Sequence, residues 1–250
     1  MKRNESELVH IGTNENLAGS NVLDIVLYRF RNLVIRRVRE DEAIGIDIDG
    51  PQSEVVSLFH YVVGYSYFMS QRIREREKMA RNSKNIGPGP FSPKGSTTDI
   101  LIRLPKDYSG TIRLLICDGS IDIDVPDTSI SLRLATANAH MKHTGPLTME
   151  CGDSNVIIDE AKGRKHVIKA INSTVNINSG SVSGLDMTCE SMDDHPSEID
   201  IAQDVRISGK TSVLLQGYRA KITYGDINVL SEEDIPKRII VRKPRKQKKA

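Results

Sequence analysis

The segment Ser120-Ile121-Asp122-Ile123-Asp124-Val125 alternates polar and apolar residues with a period of two. This period puts the isoleucines and the valine on one face of a strand and the aspartates on the other. Thr174-Val175-Asn176-Ile177-Asn178 repeats the pattern, and similar short segments continue from about Thr97 to Leu230. Because Gly, Pro, Asn or Asp interrupts them at regular short intervals, the chain is predicted to be all-β.

Fourteen strands are predicted in this region, with centres near residues 101, 114, 123, 132, 148, 157, 168, 176, 187, 200, 206, 214, 222 and 228. So many strands without a helical interruption favour a β-solenoid or β-roll, in which each turn buries its inward residues against the turns above and below. A β-sandwich is the alternative, since it produces similar spacing.

The composition divides the 250 residues into five regions. Residues 1–20 are polar and lack periodicity, which predicts a flexible N-terminal arm. Residues 21–85 are predicted to form an N-terminal β module with a charged extension, followed by a Pro/Gly-rich linker at 86–97. The β-solenoid is predicted over residues 98–230, and a basic C-terminal tail over 231–250.

The N-terminal module contains three predicted strands, Val22–Phe30, Leu33–Val38 and Ala43–Ile48, and a long strand or hairpin over Val55–Met69. A stack of strands exposes unpaired edges at both ends, and these must be capped or used to join another chain. We expect the N-terminal strands to cap one end and the segment around Ile239 to Val241 to cap the other.

Aromatic residues are scarce, yet five of the eleven lie close together. This concentration predicts a subunit contact, with burial in the core as the alternative. The candidate interface residues are Phe59, Tyr61, Tyr65, Tyr67 and Phe68.

The net charge of +2 hides an uneven distribution: residues 237–250 contain eight Lys or Arg and no acid, and the rest of the chain holds 27 basic and 33 acidic residues. Such a tail is predicted to bind nucleic acid or another polyanion without sequence preference, or to contact an acidic partner. A solubilising end is the simpler alternative. The candidate polyanion-binding residues are Lys237, Arg238, Arg242, Lys243, Arg245, Lys246, Lys248 and Lys249.

The sequence predicts no enzyme, catalytic residue, metal site, cofactor or small-molecule substrate. It contains no Gly-x-Ser-x-Gly nucleophile motif, and its three cysteines lie in strand-like segments where reduced, inert thiols are expected. His140 and His143 are expected to be solvated loop residues, because further ligands at zinc spacing are missing. Asp47-Ile48-Asp49-Gly50 with Glu54 is too short for a calcium loop and is predicted to end a strand.

Residues 1–7, Met-Lys-Arg-Asn-Glu-Ser-Glu, lack the apolar stretch of a secretory signal. No apolar run approaches the roughly 18 residues that cross a bilayer as a helix. We therefore expect a cytoplasmic protein without integral membrane contact.

The order of these features resembles the putative adhesin (DUF4097-like) family, with a strand ending in Leu-Pro followed by stacked strands with a Gly-led alternating triplet. Here Ile100 to Pro105 supplies the Leu-Pro strand and Gly119 to Ile123 the triplet, whereas Thr136 to Ala139 has no Gly. The resemblance covers roughly residues 20–230 and implies the fold; the family supplies no catalytic residues. The bactofilins, cytoplasmic β-solenoids that polymerise end to end, are similar in architecture only.

These observations predict a non-enzymatic, self-associating structural or scaffold protein, a homo-oligomer with a basic tail. Two alternatives stay open: a nucleic-acid or polyanion-binding module, and a viral or phage structural protein.

Overall fold

A computed structural model describes residues 7–11, 17–28, 30–50, 58–63, 66–71, 97–192, 196–207, 213–225, 227–230 and 237–241. The elements bounded within these ranges are all β-strands, which confirms the all-β prediction.

The strands up to residue 104 are β1 (Glu7–Ile11), β2 (Val22–Leu27), β3 (Asn32–Arg37), β4 (Gly45–Gly50), β5 (Leu58–Val63), β6 (Ser66–Gln71) and β7 (Asp99–Leu104). The next nine are β8 (Thr111–Ile116), β9 (Gly119–Asp124), β10 (Ser129–Ala135), β11 (Ala137–Thr144), β12 (Leu147–Gly152), β13 (Asn155–Gly163), β14 (His166–Ile171), β15 (Thr174–Val182) and β16 (Leu185–Glu190). The last six are β17 (Glu198–Ile201), β18 (Val205–Ile207), β19 (Val213–Tyr218), β20 (Lys221–Tyr224), β21 (Ile227–Leu230) and β22 (Lys237–Val241).

Within the described residues these strands form two sheets. Sheet I has the order β1-β4-β7-β3-β9-β11-β13-β15-β17-β20-β21, with β18 paired to β15. Sheet II has the order β22-β19-β16-β14-β12-β10-β8-β2-β6-β5.

From β8 to β17, successive strands alternate between the two sheets, and each pairs in parallel with the strand one turn before it. Hydrogen bonds between equivalent corner positions of neighbouring turns join residues 17, 19 and 24 apart in this region. The β-solenoid remains our interpretation of this winding.

Inward residues of successive turns are stacked in register and fill the space between the sheets. One row of sheet I consists of Ile121, Ala139, Val156, Val175 and Ile199, all buried. A buried Ile or Val side chain stabilises the fold by about 1.5 to 3 kcal/mol. Because this burial requires the turns on either side, each turn depends on its neighbours for most of its stability.

The corners that lead into β11, β13 and β15 share a backbone conformation. Thr136, Asp153 and Asn172 have φ values of 58°, 46° and 48°, in the left-handed region that asparagine and aspartate tolerate better than most residues. Each is followed by a small buried residue: Ala137, Ser154 or Ser173.

Serine hydroxyls link these corners from one turn to the next. Ser154 Oγ accepts a hydrogen bond from the backbone N–H of Ala137 (3.1 Å), and Ser173 Oγ accepts one from that of Ser154 (3.0 Å). Ser197 Oγ accepts one from the N–H of Ser173 (3.1 Å). These side chains satisfy buried backbone donors at positions where the strands turn and ladder pairing is interrupted.

The N-terminal strands continue both sheets. β2 pairs in parallel with β8, and β3 pairs in parallel with β9, so pairing crosses the boundary predicted at residues 86–97. The hairpin predicted over Val55–Met69 is confirmed in β5 and β6, which pair antiparallel.

Two strands were not predicted from the sequence. Residues 7–11, within the predicted N-terminal arm, form β1, which pairs antiparallel with β4; the flexibility of the arm stays a prediction. β11 was missed because the first two of its inward residues, Ala137 and Ala139, are small and give a weak apolar signal, and no Gly marks its start. Alanine fits here because the larger Ile121 and Val156 lie on either side of Ala139 in the neighbouring strands.

At all four ends of the two sheets, the outermost described strand pairs antiparallel with its neighbour. At the N-terminal end, sheet I finishes with β4 and β1 and sheet II with β5. At the C-terminal end, β21 pairs antiparallel with β20 and β22 with β19. In sheet II the outermost described strands, β5 and β22, fall in the two segments predicted as caps, whereas in sheet I they are β1 and β21; the capping role stays a prediction.

Candidate functional site

The outward residues of sheet I form polar rows across its N-terminal end. They lie on β4, β7, β3, β9 and β11, and their apolar neighbours along each strand point into the core. The first row, in register order, is Asp49, Asp99, Asn32 and Ser120. The second row is Asp47, Leu101, Val34, Asp122 and His140.

These two rows line an open groove of about 590 Å³, which we call the acidic groove. Four aspartates belong to it, and Val34 and Leu101 supply apolar surface between them. The described lining contains no Lys or Arg, so the groove favours a cationic ligand.

Two of the four carboxylates are already paired with arginines from outside the lining. Arg103 Nη1 lies 2.6 Å from Asp47 Oδ2. Arg31 binds Asp99 through both its Nε, at 2.8 Å, and its second terminal nitrogen. The hydrogen bond from Arg31 holds the pKa of Asp99 below its usual value, and Asn32 adds a further hydrogen bond. These pairs fix the geometry of the groove without neutralising it.

Asp49 and Asp122 carry the remaining negative charge. Asp49 interacts with Arg31 only at a distance, through its charge, and the Asp122 side chain is 56% exposed. The His140 ring lies beside Asp122, with its Nδ1 3.9 Å from Asp122 Oδ1.

His140 and His143 lie on strand β11, and the prediction that they are loop residues is wrong. His140 Nε2 is 2.7 Å from Asp159 Oδ2 on β13, on the opposite side from Asp122. His143 Nδ1 is 2.7 Å from Asp124 Oδ1 on β9, and its Nε2 is 3.7 Å from Glu160 Oε2 on β13.

Each of these histidines therefore bridges carboxylates on the two flanking strands. The hydrogen bond from His140 lowers the pKa of Asp159, and Asn178 adds a hydrogen bond of 3.1 Å to the same carboxylate. Lys162 contacts Glu160 at 2.9 Å. This network ties β9, β11 and β13 together on the surface next to the groove.

The described residues contain no group of three or more His, Cys, Asp or Glu arranged to hold a metal ion. Cys151 and Cys189 are buried free thiols, and Cys117 is a partly buried free thiol. Burial raises the pKa of Cys151 to about 12 and that of Cys189 to about 11, so these two are poor nucleophiles.

His166 is fully buried at the start of β14. Its Nε2 lies 3.3 Å from the Thr144 hydroxyl, and its Nδ1 lies 3.2 Å from the carbonyl oxygen of Arg164. Burial lowers its pKa, which keeps the ring neutral. We assign it a structural role between two turns.

The five candidate interface residues belong to the β5–β6 region at the N-terminal end of sheet II. Tyr67 is fully buried and therefore a core residue, whereas Phe68 is only partly buried. Tyr61 pairs in register with Phe68, and Phe59 with Ser70. Tyr65 lies outside the described residues. The interface role of this set stays a prediction.

The eight candidate polyanion-binding residues begin in β22. Lys237 and Arg238 belong to this strand, at the C-terminal end of sheet II. The other six, from Arg242 to Lys249, lie outside the described residues, and the role of the whole set stays a prediction.

Sequence reasoning missed the acidic groove. Asp47 and Asp49 lie on the same outer face of the sheet as their partners on the neighbouring strands, and this shared face was the signal that could have shown the groove. Recognising the signal requires the strand order.

In the described part of the chain, no helix is long and apolar enough to cross a membrane.

Comparison with known proteins gives limited information. No family model matches the chain, and no curated protein matches it in sequence. Among solved structures, a "putative lipid binding protein" from Parabacteroides distasonis is 14% identical, with a TM-score of 0.40, covering 92% of this chain and 95% of the other. A "putative cell adhesion protein" from Clostridium sporogenes is 11% identical, with a TM-score of 0.35, covering 75% and 94%. Likenesses this weak carry no argument about function.

Proposed function

We propose that this protein is a non-enzymatic cytoplasmic scaffold that associates with copies of itself through its N-terminal end. The observation that carries the proposal is strand β5, Leu-Phe-His-Tyr-Val-Val, which is the last strand of sheet II in the described residues. It contains no Asp, Glu, Lys, Arg or Pro. Edge strands offer unpaired backbone N–H and C=O groups, and proteins usually protect them with charge, proline or a short length.

The other three end strands carry such protection. β1 contains Glu7, and β22 contains Lys237 and Arg238. β21 is only four residues long. β5 therefore offers the most favourable edge for pairing with another copy, and the partly buried Phe68 on the neighbouring β6 adds aromatic surface that suits an interface.

The chemistry of the described residues supports a non-enzymatic role. Cys151 and Cys189 are buried with raised pKa values, and His166 is buried and neutral. The charged groups on the outer face of sheet I bind one another across strands. Such pairs position strands and are not the pairing of a nucleophile with a base.

Sedimentation velocity at micromolar concentration tests self-association. We expect oligomers for the natural chain and monomers for Tyr61→Lys and Phe59→Lys, because a lysine on an edge strand opposes pairing. Thr148→Lys is the matched control, since Thr148 lies exposed on β12 in the interior of the same sheet. Circular dichroism verifies folding. A natural chain that stays monomeric from low to high salt would exclude the proposal.

A second candidate function, binding of nucleic acid or another polyanion, rests on the basic tail. Because Lys237–Val241 forms β22, the test should remove only residues 242–250 and leave this strand intact. We expect the natural chain to be retained on a heparin column in a salt-dependent way and the shortened chain to elute early. Equal retention of both proteins would exclude this function.

We also propose that the chain belongs to the putative adhesin (DUF4097-like) family, with the bactofilins as a likeness of architecture. The support is the Leu104-Pro105 end of β7 and the Gly119–Ile123 triplet in β9. A family model built from homologues of this chain would test the membership, which requires the two segments to align with the family's own.

A further inference from the structure

The acidic groove and the strand that precedes the basic tail lie at opposite ends of the sheets. The groove belongs to the strands at the N-terminal end of sheet I. The tail follows β22, the last strand at the C-terminal end of sheet II. Copies arranged head to tail would bring the tail of one molecule to the groove of the next.

The charges of the two elements are complementary. Residues 242–250, Arg-Lys-Pro-Arg-Lys-Gln-Lys-Lys-Ala, contain six basic residues and no acid. The groove contains four aspartates, and two arginines, Arg31 and Arg103, bind Asp99 and Asp47, so the charge that remains is negative. A cationic segment and a surface of net negative charge attract each other, most strongly at low salt.

The apolar part of the groove also fits this occupant. Val34 and Leu101 lie side by side in register between Asp47 and Asp122. Lys and Arg side chains place their methylene stems on apolar surface while their charged groups reach nearby carboxylates. A lysine or arginine lying across this row would contact both kinds of residue.

The length of the tail favours a second molecule as the partner. Six strand-to-strand steps separate β22 from β8, which precedes β9 of the groove; at about 4.8 Å per step this is about 29 Å. Asp49 on β4 lies three further strand steps beyond β9, so it is about nine steps, or about 43 Å, from β22 along the sheets. Nine extended residues span at most about 30 Å, so the tail cannot reach Asp49 of its own chain.

We propose that residues 242–250 of one copy bind the acidic groove of a second copy, which joins the molecules head to tail. This inference rests on the proposed self-association and adds a second contact between copies, which runs head to tail. It assigns the tail a protein partner of the same sequence, and the groove a peptide ligand rich in Lys and Arg.

Fluorescence anisotropy with a labelled peptide of residues 242–250 tests the contact directly. The protein used is the chain ending at Val241, whose groove is free of any tail. We expect saturable binding at about 50 mM salt that weakens strongly at about 500 mM, where charges are screened within a few ångströms. A peptide with all six basic residues replaced by glutamine should not bind.

The variant Asp49→Asn with Asp122→Asn should weaken peptide binding about tenfold, since two partly exposed ion pairs are lost. The matched control is Asp24→Asn with Glu150→Gln, which removes the same charge from the outer face of sheet II. We expect it to bind the peptide within about twofold of the parent. Equal losses in the two variants, or no binding at low salt, would overturn the proposal.

Sedimentation separates this inference from the self-association itself. If the chain ending at Val241 still forms the natural oligomers and Tyr61→Lys does not, then scaffolding through β5 stands and the contribution of the tail to assembly is refuted. If removal of the tail and Asp49→Asn with Asp122→Asn both reduce the oligomers in the same way, the head-to-tail contact is supported.

Discussion

Replacement of Ser173 by alanine is expected to destabilise the protein through a single orphaned backbone group. Ser173 is 2% exposed, and its hydroxyl accepts a hydrogen bond from the N–H of Ser154 and donates one to the carbonyl of Ile171. The Ile171 carbonyl also accepts the N–H of Asp153 (3.1 Å) and keeps a partner in the variant. The N–H of Ser154, in contrast, loses its hydrogen-bond acceptor in the variant. A buried donor left without a partner costs about 1 to 3 kcal/mol, and we expect a loss of this size.

Urea unfolding monitored by circular dichroism measures this loss as a lower midpoint at an unchanged slope, since the surface exposed on unfolding stays the same. Ser181→Ala is the control, because Ser181 is exposed on β15; it should change the free energy of unfolding by less than about 0.5 kcal/mol. If the two variants are equally stable, the serine links between turns contribute nothing and the reasoning fails.

Three further predictions concern the backbone, a buried ring and buried thiols. Gly180→Ala should largely prevent folding, because φ is +141° and a Cβ would lie 2.0 Å from a backbone oxygen, whereas Gly152→Ala meets nothing within 4 Å and should stay soluble and folded in expression trials. Burial lowers the pKa of His166, so its contribution to stability is full above about pH 6.5, the unfolded value, and is lost as the pH falls through the folded pKa. The urea midpoint should therefore drop less between pH 7 and 5 in His166→Gln than in the natural chain, and an equal drop would contradict this. Cys151 and Cys189 should react with a thiol reagent at pH 8 only in denaturant; rapid labelling of all the thiols in the folded protein would refute their burial.

The sequence was sufficient to predict most strands but not which strands lie next to one another in the sheets. The alternation of Ile121, Ile123 and Val125 with aspartates is a local property, and a strand lies at each of the fourteen predicted centres. β11 was not predicted because Ala139 is buried between larger residues of the neighbouring turns, and no local sequence pattern reveals such packing. The left-handed corner at Thr136 was equally hidden, since threonine carries no signal for that conformation.

The acidic groove shows the same limit for the candidate site. Asn32, Asp49, Asp99 and Ser120 form one row only because β3 lies between β7 and β9 while β4 runs antiparallel beside β7. Sequence separation of up to 88 residues hides this order, whereas the predicted aromatic and basic segments were visible because each is continuous in the chain.

The antiparallel strands at the ends of the sheets also change where we expect the molecules to associate. Open parallel edges at both ends would allow identical turns to continue from one molecule into the next. Instead, antiparallel strands finish each sheet, and their sequences differ: β5 is uncharged, whereas β22 starts with two basic residues. The two ends are therefore chemically unlike each other, with the uncharged edge and the acidic groove at one end and the basic tail at the other. Unlike ends favour a heterologous contact, which continues into a polar chain or closes into a ring according to the rotation between neighbours.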